Sequence, residues 1–142
     1  MKKTFELGGD PRELPLLRKD LRVLLHEAGF DDQASGGVVL AVDEVVTNII
    51  RHAYQGRKGK IEVGFLDGPD YIKISIRDSG QKFDPTKASD PELPPTRPGG
   101  LGIYLTKRLV DEVEYDSQVL EGNLLHLIKH KKKQEKKKEN ED

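Results

Sequence analysis

The chain has 142 residues and a formal net charge near −1, with charged and hydrophobic residues each at 35%. That length suits one domain with a modest core, and the near-neutral balance lacks the global basic character that argues for nucleic acid. No cysteine is present, which excludes disulfides, thiolate zinc sites and cysteine nucleophiles. No apolar run approaches a membrane span and residues 1–6 lack a signal-peptide core, so a cytoplasmic location without membrane contact is expected.

In chain order, residues 4–7 suit a short edge strand. Pro11, Arg12, Glu13 and Leu14 open a helix with apolar positions at Leu14, Leu17, Leu21, Leu24 and Leu25, stopped by Gly29. Asp31 or Asp32 can cap the next helix, which ends before Gly56 and carries Val38, Val42, Val45, Ile49 and Ala53 in one stripe. Ile61, Val63 and Phe65 alternate as in a strand, and residues 67–70 turn into a second strand ending at Asp78. Residues 81–98 show no period and hold five prolines, and a loop of that length reads best as a lid. A helix over about residues 101–110 and strands near 113–118 and 124–128 complete the domain. From Lys129 the chain becomes lysine-rich and low in complexity, so the folded domain is placed at 1–130 and a charged, disordered tail at 131–142. Mixed helices and strands with apolar faces imply an α/β two-layer sandwich, its helices on one face of a mixed, mostly antiparallel sheet.

Three features carry chemistry. Glu44 and Asn48 are four residues apart on the second helix, off the centre of its apolar stripe, so a carboxylate and an amide project together. Such a pair can share a divalent cation or a water with a phosphate chain. Asp78 ends a strand and is followed by Gly80, which presents a carboxylate beside unobstructed backbone. Arg97, Pro98, Gly99, Gly100, Leu101 and Gly102 form a glycine cluster opening a helix, where bare amides suit phosphate oxygens. Each alone is compatible with surface polarity or a tight turn. His52 has no second histidine at ligand spacing, and no basic-aromatic strip suggests single-stranded nucleic acid.

In this order, Glu-x-x-x-Asn on a helix, Asp-x-Gly after a strand and Gly-x-Gly opening a helix resemble the nucleotide-binding boxes of the GHKL (Bergerat-fold) ATPases. The runs Asp43-Glu44-Val45-Val46-Thr47-Asn48 with His52-Ala53-Tyr54, Arg77-Asp78-Ser79-Gly80 and Gly100-Leu101-Gly102-Ile103-Tyr104-Leu105 most resemble the bacterial anti-sigma-factor serine kinases. The resemblance covers roughly residues 4–130. It implies ATP and magnesium as cofactors, with Asn48 on the metal, Glu44 as general base, and Asp78 accepting from the adenine amino group. It also implies that Gly80 admits the base, that Gly99, Gly100, Leu101 and Gly102 wrap the phosphates, and that Arg97 supplies positive charge there. Arg51 and His52 would flank the phosphate end. Lys82 stands where many GHKL proteins have a second glycine, as is common in the serine-kinase branch. The implied partners are a small anti-sigma-factor antagonist bearing the substrate serine, a sigma factor, and a second copy of the chain in a homodimer. The alternative is a non-catalytic or differently targeted partner-switching module of the same superfamily.

Overall fold

The computed structural model describes residues 2–87 and 102–132. Five strands, β1 (Lys2–Leu7), β2 (Ile61–Asp67), β3 (Tyr71–Asp78), β4 (Glu112–Tyr115) and β5 (Asn123–His130), form one sheet in the order β1-β2-β3-β5-β4. Every pairing is antiparallel, so the parallel component that a mixed sheet would hold is absent among the described strands. The register explains the layering. Val63 pairs with Ile76 and Ile76 with Leu125, while Phe65 pairs with Ile74 and Ile74 with Leu127, so the alternating apolar residues share one face. That face is buried, and the opposite one, which includes Lys73, Ser75, His126 and Glu114, is half-buried or exposed.

Helices α1 (Leu14–Glu27), α2 (Asp32–Asn48) and α3 (Gly102–Leu109) form the second layer. Leu14, Leu17, Leu21, Leu24 and Leu25 bury the predicted face of α1, although the chain first makes a tight turn at Pro11–Glu13. A reciprocal cap fixes that turn: Asp10 accepts from the Arg12 N–H, and the Glu13 carboxylate accepts from the Gly8 and Asp10 N–H groups. Asp31, rather than Asp32, caps α2, its Oδ1 accepting from the Ala34 N–H at 2.8 Å. All five stripe residues of the second helix are buried against the sheet.

The second helix ends differently from its sequence pattern. After Asn48 the coil widens into a π turn over Ile49–Ala53, with the Tyr54 N–H donating to the Ile49 carbonyl. At the other end of the chain, β5 runs to His130, because Lys129 and His130 continue the ladder against Ile72 and Tyr71 despite lying in the lysine-rich run. Lys131 is tied to the Asp67 carboxylate at 2.6 Å, and residues 133–142 lie outside the described residues. No helix among the described residues is long and apolar enough to cross a membrane.

The turn into β5 is the tightest joint. Gly122 has φ +69°, and a Cβ there would fall on the Asp78 carbonyl oxygen and 2.8 Å from Ser79 Cα. Gly29 also has positive φ, +101°, but no heavy atom lies within 4 Å of a Cβ built there. Gly122→Ala therefore carries backbone strain plus a forced separation of β3 from β5, whereas Gly29→Ala carries the strain alone, about 1 kcal/mol. Urea denaturation is expected to show Gly122→Ala more destabilised than Gly29→Ala by roughly 1–3 kcal/mol. Equal losses would show that the β5 turn relaxes freely.

Candidate functional site

A narrow cavity of about 30 Å³ opens at the end of the sheet where β3 finishes and β5 begins. Its apolar walls are the ends of the patterned elements: Val45 and Ile49 of the second helix, Ile76 and Leu125 of the strands, and Ile103 of α3. Into this apolar lining the fold places Asp78, Asn123, Asn48 and Tyr115. Its composition, apolar with a few convergent polar groups, is usual for a small-molecule site.

Asp78 lies in the core-facing register that Ile72, Ile74 and Ile76 set, which is why a carboxylate at this position is buried, with 2% of its surface exposed. Its Oδ1 accepts from the Gly80 N–H at 2.8 Å and from Asn123 Nδ2 at 3.0 Å. Its Oδ2 is buried and has no hydrogen-bond partner among the described residues. Burial pushes the Asp78 carboxyl above the ordinary value of 3.8, partly offset by the Asn123 and Gly80 hydrogen bonds and the charge of Lys82. A buried, unpaired acceptor in a cavity wall is suited to a ligand N–H.

Asn123 faces Asp78 directly across the β3–β5 ladder. Its Nδ2 donates to Asp78 Oδ1 and to the Gln81 carbonyl, and its Oδ1 accepts from the Phe83 N–H and the Tyr115 hydroxyl. The Asp-x-Gly turn is held from behind as well. The Ser79 N–H donates to the Tyr54 hydroxyl, which itself donates to the Lys60 carbonyl, and the Gln81 N–H donates to the Ala53 carbonyl. Gly80 abuts this same carbonyl: a Cβ there would lie 2.5 Å from the Ala53 oxygen.

Glu44 and Asn48 are both half-buried on the side of α2 that faces α3. Gly37, seven residues before Glu44 on that side, would place a Cβ 3.4 Å from Leu109, and Asn48 shares the cavity wall with Ile103. The neighbouring Asp43 turns toward α1 instead and is held by Arg18 at 2.7 Å. The Glu44 side chain has no hydrogen bond or ion pair to any described residue. The structure thus brings Asn48 and Asp78 into one cavity wall and sets Glu44 one helical turn from Asn48 toward the α2–α3 groove. Arg51 and His52 are exposed on the π turn and do not line the cavity, although the His52 ring lies 5.5 Å from Phe83, which does. Gly102 opens α3 as expected; Arg97, Gly99, Gly100 and Leu101 lie outside the described residues. Among the described residues, no group of three or more His, Asp or Glu gathers to hold a metal.

Asn123, Tyr115, Phe83 and Tyr54 were not singled out as site residues from the sequence. For Asn123 a signal existed: it continues the core-facing alternation of Leu125 and Leu127, so a polar side chain had to be buried there and paired. The other three contribute through hydrogen bonds that no short-range pattern encodes.

Over residues 7–129 the chain matches the histidine kinase-like ATPase domain family. It is 32% identical over 130 residues to the serine-protein kinase RsbW of Listeria monocytogenes, an alignment spanning 83% of this chain and 82% of that one. It is 34% identical to the serine-protein kinase RsbW of Staphylococcus epidermidis, across 92% of this chain and 87% of the relative. Its fold is similar to that of the RsbU and RsbW domains of a Mycobacterium tuberculosis protein, with TM-score 0.64 and 23% identity. That likeness covers 91% of this chain, which spans about a third (31%) of the mycobacterial one. The chain belongs to the histidine kinase-like ATPase family, in the branch of the serine-protein kinase RsbW.

Proposed function

We propose that this serine-protein kinase acts as an anti-sigma factor, binding ATP with magnesium, phosphorylating a serine of a small antagonist protein and sequestering a sigma factor. The observation that carries the nucleotide assignment is the unpaired Asp78 Oδ2, buried in an apolar cavity that also holds Asn48. A carboxylate oxygen accepts from the 6-amino group of adenine, which fits the one buried side-chain polar atom without a partner among the described residues. Asn48 offers an amide oxygen where the phosphates would leave the cavity. Magnesium keeps several waters and bridges phosphates, so one protein oxygen is a sufficient share of its ligands.

Transfer forms a bond from the serine hydroxyl oxygen to the γ-phosphorus and breaks the bond to the ADP oxygen, while the hydroxyl proton departs. Glu44 is the carboxylate that receives the proton, since Asp43 beside it is engaged by Arg18. The magnesium, when bound, supplies neutralisation of phosphate charge. Arg97, Gly99, Gly100 and Leu101 complete the phosphate site in this reading, and Gly80, Arg51 and His52 border it. Partner choice then follows nucleotide state and antagonist phosphorylation, with competing complexes exchanging by mass action. The kinase works in the cytoplasm as a homodimer in the same reading.

Incubation with magnesium, γ-labelled ATP and an antagonist-like protein from the same genome tests the proposal. Label is expected on an antagonist serine. ATP binding without transfer would instead support a nucleotide-gated binding module. Glu44→Gln should retain ATP affinity and lose transfer by about 10²–10⁴-fold; full activity would place the base elsewhere. Asn48→Ala should abolish the magnesium-dependent part of ATP binding in calorimetry.

Asp78 gives a pH test with opposite signs for stability and binding. Because its folded-state pKa is raised, its contribution to stability is fully present below the unfolded value near 3.8 and is lost as pH rises through the folded value. Asp78→Asn should therefore raise the melting temperature of the nucleotide-free protein at neutral pH, a gain that shrinks as the pH falls toward 4. The same substitution should weaken ATP binding, and in the parent protein ATP affinity should fall as Asp78 becomes protonated. A lowered melting temperature in the variant would mean that the ionised carboxylate is stabilised by a partner.

A further inference from the structure

Asn123 cannot be turned over. The Phe83 N–H can only donate and the Gln81 carbonyl can only accept, so the amide has one satisfied orientation, with Oδ1 toward Phe83 and Nδ2 toward Gln81 and Asp78. In that orientation both amide hydrogens are engaged, and the Tyr115 hydroxyl must donate to Oδ1 at 2.6 Å. The other donors around Asp78 are engaged too: the N–H of Gly80 by Asp78 Oδ1, of Gln81 by the Ala53 carbonyl, and of Ser79 by Tyr54. What remains beside the cavity is the unpaired Oδ2 of Asp78, an acceptor.

We propose that Asn123 is the positioning residue that sets base selectivity, by engaging Asp78 Oδ1, the Phe83 N–H and the Tyr115 hydroxyl so that the base meets an acceptor and no free donor. This rests on the reading of Asp78 as the adenine contact. A 6-amino purine finds a partner for its N–H. A 6-oxo purine leaves its O6 unpaired against oxygen acceptors, a mismatch in a buried site that corresponds to discrimination on the order of 10²-fold. Loss of the Asn123 side chain would free the Phe83 N–H and the Tyr115 hydroxyl, two donors that a 6-oxo group can use. Asn123→Asp would keep the shape and the acceptor end but set a second carboxylate against Asp78 Oδ1, so the pair would hold a shared proton to higher pH. The other charges acting on this cluster, Lys82 on Asp78 and Asp84 on Tyr115, are common to all variants.

The test is calorimetric binding of ATP and of inosine triphosphate from pH 5 to 8, for the parent protein, Asn123→Ala and Asn123→Asp. The parent should prefer ATP about 10²-fold. Asn123→Ala should narrow that ratio at least tenfold, and Asn123→Asp should move the pH midpoint of ATP binding upward by a unit or more. A merely structural Asn123 would weaken both nucleotides in proportion, with the ratio unmoved, and that result overturns the proposal. If Asn123→Ala fails to fold, the near-isosteric Asn123→Leu, which also frees the Phe83 N–H and the Tyr115 hydroxyl, is read by the same ratio. A parent that binds both nucleotides equally, or neither, overturns the adenine reading of Asp78 itself, whereas a selective parent with insensitive variants overturns only the role of Asn123.

Discussion

A carboxylate half-paired inside an apolar wall constrains nearly everything at this end of the molecule. Burying a charge without full compensation is costly, and the structure tolerates Asp78 by giving one oxygen two donors while leaving the other bare. Each neighbour is shaped by that arrangement. Gly122 must lack a side chain because it packs on the Asp78 carbonyl, and Gly80 must lack one because the Ala53 carbonyl fills the space. The π turn after Asn48 is part of the same construction, since it ends at the Ala53 carbonyl that receives the Gln81 N–H. Helix and sheet are thus joined by hydrogen bonds where this carboxylate interrupts the apolar core.

The second helix connects this base-proximal region to the proposed phosphate end. One of its sides buries Val38, Val42 and Val45 in the core; another meets α1 through Asp43 and Arg18; a third faces α3 with Gly37, Glu44 and Asn48. The small residue at Gly37 lets Leu109 come close, which sets how deep the α2–α3 groove is beside Glu44. Two adjacent acids consequently have different fates. Asp43 is held in an ion pair, and the Glu44 side chain, about 100° further round the helix, has no such partner among the described residues.

The sequence shows most clearly those parts that repeat. Alternation in β2 and β3 and the leucine stripe of α1 predict their elements nearly to the residue, because one buried face forces one period. Asp78 and Asn48 were legible as site candidates because strand end and helix side can be read locally. Three things were not. The π turn leaves no compositional mark in Ile49–Ala53. The extension of β5 through Lys129 and His130 is hidden because Lys129, although it continues the core-facing register of Leu125 and Leu127, is only half-buried at the end of the sheet, and His130 is exposed. The expected strand over 113–118 stops at Tyr115, where Asp116 turns the chain by accepting from the Gln118 N–H. The Asn123 network was harder still, since its members lie up to 45 residues apart in the chain. Such contacts are fixed by strand register, which a single sequence implies only after the sheet order is known.

That network also ties Asp78 to the residues that follow β3. Asn123 holds Asp78 with one amide hydrogen and the Gln81 carbonyl with the other, and its oxygen holds the Phe83 N–H. From Phe83 the chain enters a short turn at Pro85–Lys87, where Asp84 accepts from the Thr86 N–H and Lys107 of α3 reaches the Thr86 carbonyl at 3.5 Å. A ligand that pairs Asp78 Oδ2 therefore acts on a residue already linked, through two or three hydrogen bonds, to the root of that segment and to α3. Pairing a buried acceptor also lowers the free energy of the arrangement that exposes it to a ligand, so an occupant that pairs Oδ2 stabilises the same hydrogen bonds that hold Gln81 and Phe83. Asp78, Asn123 and the residues up to Lys87 are, on this geometry, one cooperative unit.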